Sequence, residues 1–166
     1  MSLTQSMAAE FDREMAATRK TLERIPTDKL TWKPHEKSFT LGALGQHLAQ
    51  LGMWAENTLN LDELDLKGPF DQKPLESTAD ILALFDKFTA ASKAAFAVTD
   101  DEKLAAPWAL KVEGRQLFSR PRADVIRDFV LNHGAHHRGQ LTVYLRLLDV
   151  PVPSIYGPSA DEKSFF

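Results

Sequence analysis

Apolar residues return every three or four positions in four stretches of the chain, and Pro, Gly and polar clusters separate those stretches. Over residues 3–24, Leu3, Met7, Phe11, Met15, Thr18 and Leu22 form one stripe, which predicts an amphipathic helix ending before Pro26. A second stripe of Leu44, His47, Leu48, Leu51, Trp54 and Ala55 predicts a helix over 40–60 with Thr40 as its N-cap. That segment carries Gly42, Gly45 and Gly52, which weaken a helix unless another helix packs closely there or the first turn is frayed. A third helix is predicted over 77–98, with Ser77 capping and Asp80 three residues on. Its stripe is Ile81, Leu84, Phe85, Phe88, Ala91, Ala95 and Phe96. Pro121 suits the opening of the longest helix, 121–149, which stops before Val150-Pro151. Residues 61–76 read as a loop containing Gly68, Pro69 and Pro74. Residues 104–120 read as irregular, with room for two short strands turning at Glu113-Gly114.

Four amphipathic helices without a strong strand run predict an all-α four-helix bundle, as one domain over residues 1–166. The three inter-helix connections are each long for a simple up-and-down order, so they carry crossovers or cover one mouth of the bundle. Composition changes this picture little. Apolar residues make up 43% and charged ones 26%, the mix of a soluble globular protein. A net charge of −3 without a basic stripe argues against nucleic acid or an anionic membrane as partner. The absence of cysteine excludes disulfides, thiolate metal sites and a cysteine nucleophile. No signal peptide or membrane span is recognisable, so a cytoplasmic location is expected.

Chemistry concentrates in the histidines. Three of the five lie in the segment NHGAHHRGQ. At about 100° per residue, His137 lies roughly 40° round from His133 and about 6 Å along the axis, so both rings point one way. Ile126, Phe129, Val130, Leu141, Tyr144, Leu145 and Leu148 share that half of the helix, and His47 sits among Leu44, Leu51 and Trp54 on the second helix. Polar rings buried together need partners, and a divalent transition metal supplies one to each. Imidazole suits Zn, Ni, Cu or Fe rather than Mg or Ca. Taken alone, His47 reads as a hydrogen-bonded core histidine, and the His133/His137 pair reads as structural as readily as metal-binding.

No Asp or Glu on these two helices points with the histidines, which leaves Glu14 as the best outside fourth ligand. His136, at the stripe edge, and Gln50 and Gln140 are placed to orient a ligand or a bound water. Trp54 and Tyr144 are placed to line a pocket or simply to pack. His35 reads as exposed, and Arg138 and Arg146 as part of a solvated face. No Walker, Rossmann, G-x-S-x-G or H-E-x-x-H pattern is present.

The segment NHGAHHRGQ, the upstream LGALGQHLAQ and the ending PSIYGPSADE together resemble the DinB/YfiT-like family over nearly the whole chain. The resemblance implies an up-down-down-up bundle, commonly a homodimer. It also implies a nickel, zinc or iron ion on His47, His133 and His137. Activities in that family include thiol-dependent S-transferases and a thiol-dependent isomerase. The expectation is therefore a metal-dependent transferase using a low-molecular-weight thiol on a small molecule. A metal-dependent hydrolase and a non-catalytic metal- or ligand-binding stress protein are the alternatives. No residue pattern identifies a thiol site or a catalytic side chain.

Overall fold

Side-chain caps fix where the helices begin. Ser2 and Gln5 exchange hydrogen bonds in a capping box that opens α1 (Leu3–Leu22). Thr40 Oγ1 accepts from Ala43 N at 3.2 Å to open α2 (Leu41–Asn60). Ser77 Oγ accepts from Asp80 N at 3.1 Å to open α3 (Thr78–Ala97). A short α4 (Asp101–Ala105) follows. The last helical run is α5 (Arg122–Ile126), a π-helical stretch (Arg127–Asn132) and α6 (His133–Leu147). This computed structural model describes residues 1–68 and 73–163, so Pro69 and the last three residues lie outside the described residues.

The apolar stripes of α1, α2, α3 and the last run meet in one core containing Phe11, Leu22, Leu44, Leu48, Ile81, Phe85, Val130 and Leu141. Named contacts set the helix directions. Arg19 pairs with Asp86, and Lys93 with Asp12, so α1 and α3 run antiparallel. Gly45 faces Ile81, and Gly52 faces Phe88 and accepts from Ser92 Oγ at 2.6 Å, so α2 and α3 run parallel. Trp54 stacks near Phe129 and Arg122 reaches the Thr58 carbonyl, so the last run is antiparallel to α2. Glu10 pairs with Arg127 and Glu14 with Arg138, so it is parallel to α1. The glycines of α2 thus mark close packing. A Cβ at Gly52 would sit 3.1 Å from the Phe88 backbone, and the first turn, capped by Thr40, is not frayed.

The chain is mostly helical but not all-α. Strands β1 (Glu63–Leu66), β2 (Pro107–Val112) and β3 (Arg115–Pro121) form a three-stranded sheet in the order β1-β2-β3. β2 and β3 make the hairpin expected at Glu113-Gly114, where both turn residues have positive φ (50° and 82°). β1 was expected to be loop. It pairs parallel to β2, Glu63 opposite Ala109, a partner 46 positions away that no local pattern announces. Trp108 and Leu110 of the sheet pack with Val125, Trp54, Phe118 and Phe129 in a second cluster. Buried Arg122 donates to the carbonyls of Thr58, Pro107 and Leu61 and to Asp62 Oδ1, tying α2, β2 and the last helical run together. The sheet therefore buttresses the segment that leads into His133. The predicted single helix over 121–149 is interrupted by the π-helical stretch, and Pro121 ends β3 as the cap residue rather than opening the helix.

Candidate metal centre

His47 projects from the middle of α2, and His133 and His137 project from the first turn and a half of α6. Because those helices are antiparallel neighbours, the three rings meet. His47 Nε2 lies 3.3 Å from His133 Nε2, which lies 2.8 Å from His137 Nε2. Metal–nitrogen bonds of about 2.0–2.1 Å at angles between 90° and 110° need nitrogen separations of roughly 2.8–3.4 Å, so the spacing suits a shared cation. Among the described residues, this trio is the cluster of metal-capable side chains close enough to hold an ion.

Two of the rings are oriented from behind. His137 Nδ1 is 2.7 Å from Gln140 Oε1, and the His133 ring hydrogen-bonds the Phe129 backbone one turn earlier. A second nitrogen fixed in this way leaves Nε2 aimed at the cluster. All three rings are partly buried. Burial pushes His47 down to about 4, with His137 and His133 adding like-charge repulsion. Burial also lowers His133 and His137, against hydrogen bonds to Phe129 and Gln140 that act the other way. The rings are thus neutral near pH 7, the form that ligates.

Beside His47 opens a cavity of about 670 Å³. Its walls include Leu30, Phe39, Met53, Trp54 and Leu75, with Gln46 and Gln50 among them. Trp54 and Gln50 are thus adjacent to the cluster. Tyr144 is outside the cavity wall, with its ring against Trp32 and its hydroxyl 3.3 Å from the Phe39 carbonyl, where it props the neighbouring loop. His136 is exposed, its ring 4.9 Å from that of His137 and outside the trio. His35 is exposed in its loop.

Two residues differ from the sequence reading. Arg138 is buried, only 2% exposed. It donates to the Glu14 carbonyl, to Thr18 Oγ1 and to Glu14 Oε2, and it contacts the Tyr156 hydroxyl. Glu14 is therefore engaged away from the histidines, by Arg138 and by Tyr156 at 2.6 Å, and is no fourth ligand. Arg146 does lie on the surface, paired with Asp161. The sequence reading also missed Phe39, whose ring is 6.0 Å from that of His47 and 6.5 Å from that of His137. Placed just before the Thr40 cap, Phe39 is outside every helical stripe, and no periodicity signal could have found it.

Comparison with known proteins adds to this geometry. A sequence model described as the DinB family matches residues 1–164. The Bacillus subtilis protein YrdA is 29% identical over 161 residues, 92% of this chain and 87% of that one. Two solved structures, DinB-like proteins from Bacillus cereus and Bacillus subtilis, share the fold with a TM-score of 0.67 at 21% identity. The matches cover 87% and 89% of this chain and 92% and 95% of theirs. Among the described residues, no helix is long and apolar enough to cross a membrane.

Proposed function

The chain belongs to the DinB family, and from that premise we propose that it is a metal-dependent, thiol-dependent transferase acting on a small molecule. In this reading a divalent nickel, zinc or iron ion is held by Nε2 of His47, His133 and His137. The observation that carries it is the convergence of three neutral imidazoles beside an open cavity. The donor set, nitrogen without carboxylate or thiolate, fits these metals and not Mg or Ca. When bound, such an ion lowers the pKa of a coordinated thiol or water and stabilises the anion.

The chain's own residues do the rest. Gln140 and the Phe129 backbone hold two rings in register, and burial keeps all three unprotonated. The chain has no cysteine, so the sulfur must come from a small thiol cosubstrate. Gln50 and Trp54 border the space where a substrate would lie, and His136 and Tyr144 stand further out. The helix directions support an up-down-down-up bundle formed as one domain. A homodimer is part of the same reading. A cytoplasmic location completes the reading.

Elemental analysis of protein purified without a metal-affinity tag tests the site. About one metal per chain is expected, lost in His47→Ala, His133→Ala and His137→Ala and kept in His136→Ala. Gln140→Leu should weaken metal affinity by roughly 10–100-fold. Full metal content in all three histidine variants would show the site to be wrong. An electrophilic acceptor supplied with and without a thiol then tests the activity. Turnover that needs thiol and stops on chelation supports the transferase. Turnover without thiol indicates a hydrolase. No turnover by metal-loaded protein across several thiols and acceptors indicates a binding protein.

A further inference from the structure

The cavity beside His47 has a chemical character of its own. Among the described residues lining it there is no Asp, Glu, Lys or Arg. Its walls are mostly aliphatic and aromatic, with Thr31, Thr40, Gln46, His47 and Gln50 as their polar members. Gln46 Nε2 donates to the Lys73 carbonyl at 3.2 Å and Gln46 Oε1 accepts from Leu75 N at 3.1 Å, so that side chain pins one wall. A charged group entering between Met53, Trp54 and Leu75 would shed its hydration and find no counter-charge on those walls. The shape is also defined. The lining on α2 extends from Gly42 to Trp54, a run of about 18 Å at 1.5 Å per residue. At the histidine end stands Phe39, 52% exposed, its ring close to both His47 and His137. An aromatic ring left in water at the mouth of an apolar cavity gains from being covered. A second cavity, about 650 Å³ between α1 and α3, contrasts with this one, since Asp12, Lys93, Asp100 and Asp101 line it.

We infer that the cavity beside the histidines binds an uncharged, elongated and mainly apolar small molecule, lying along α2 with Phe39 at one end and Trp54 at the other. Identifying that molecule with the transferase substrate rests on the proposed function. Its binding does not, and the two are measured separately.

A matched pair of fluorescent probes reads the selectivity on the full-length protein as purified. N-phenyl-1-naphthylamine is neutral, and 8-anilinonaphthalene-1-sulfonate is the same skeleton carrying an anion. The neutral probe should bind at least tenfold more tightly. Ala43→Trp, at an exposed position that fills the cavity mouth, should weaken the neutral probe at least tenfold while leaving metal content unchanged. A probe bound in the second cavity would not respond to Ala43→Trp. Met53→Lys, which adds a cation to the wall, should narrow the preference for the neutral probe at least fivefold, and it decides the matter if Ala43→Trp fails to fold. Equal affinity for the two probes overturns the inference. So does neutral binding untouched by both variants. Selective binding in protein that carries no metal would sustain the inference while removing the metal reading.

Discussion

Replacing Arg138 by Met separates two readings of one residue. On a solvated face the change would alter stability by no more than about 0.5 kcal/mol. In the structure Arg138 is 2% exposed and Glu14 17% exposed. Its guanidinium meets the Glu14 carboxylate and carbonyl, the Thr18 hydroxyl and the Tyr156 hydroxyl. Methionine fills much of the volume but leaves the Glu14 carboxylate with Tyr156 as its remaining side-chain partner. Removing one member of a buried ion pair costs about 3–5 kcal/mol, and the partial exposure of Glu14 puts this case near about 3 kcal/mol. For a chain of this size that corresponds to a drop in Tm of roughly 6–12 °C. Urea unfolding followed by circular dichroism, with thermal scans alongside, measures it directly. Glu14→Leu combined with Arg138→Met should recover a good part of the loss, because the stranded charge is gone. A single-variant cost below about 1 kcal/mol, or strict additivity in the double variant, would refute the argument.

Two further outcomes follow from the structure. Because burial places His47 at about 4, and lowers His133 and His137, the unfolded chain takes up protons first as pH falls. The metal-free protein should keep its full stability above about pH 6.5 and lose it progressively as pH falls towards about 4. Denaturation midpoints across that range should fall more steeply for the native sequence than for His47→Gln, and identical slopes would rule the explanation out. The glycines divide by surroundings. Gly52→Ala forces a methyl to 3.1 Å from the Phe88 backbone and should destabilise by about 1–2 kcal/mol despite better helix propensity. Gly139→Ala meets nothing within 4 Å and should stabilise by about 0.5–1 kcal/mol, both changes being read from urea midpoints.

What could be read from the sequence was whatever is local. Helical periodicity and the caps at Thr40 and Ser77 located α2 and α3, and the angle between His133 and His137 placed both on one inward face. Whatever depends on a distant neighbour could not be read. ELDL of β1 alternates polar and apolar residues but is only four long, and nothing local names β2 as its neighbour. A helical wheel assigns Arg138 by its own helix alone, whereas its burial is decided by α1 and by Tyr156 of the C-terminal segment. The meeting of His47 with the other two histidines needed the antiparallel packing of α2 and α6, which periodicity allows but does not dictate. Phe39 had no stripe to belong to.

The placement of α1 bears on how this protein is made. Its contacts run to α3 and to the last helical run, and the pair Glu14–Arg138 closes over 124 residues. At about 5–20 residues per second, a ribosome needs roughly 6–25 s to synthesise that interval. For most of it Met7, Phe11 and Met15, each at most 4% exposed in the finished molecule, are outside the ribosome without the last of their neighbours. α2 and α3 are made one after the other and can close on each other well before that. During synthesis the first helix is therefore the stretch most open to chaperone capture or to association between nascent chains, and it is sealed only once Arg138 itself has left the ribosome.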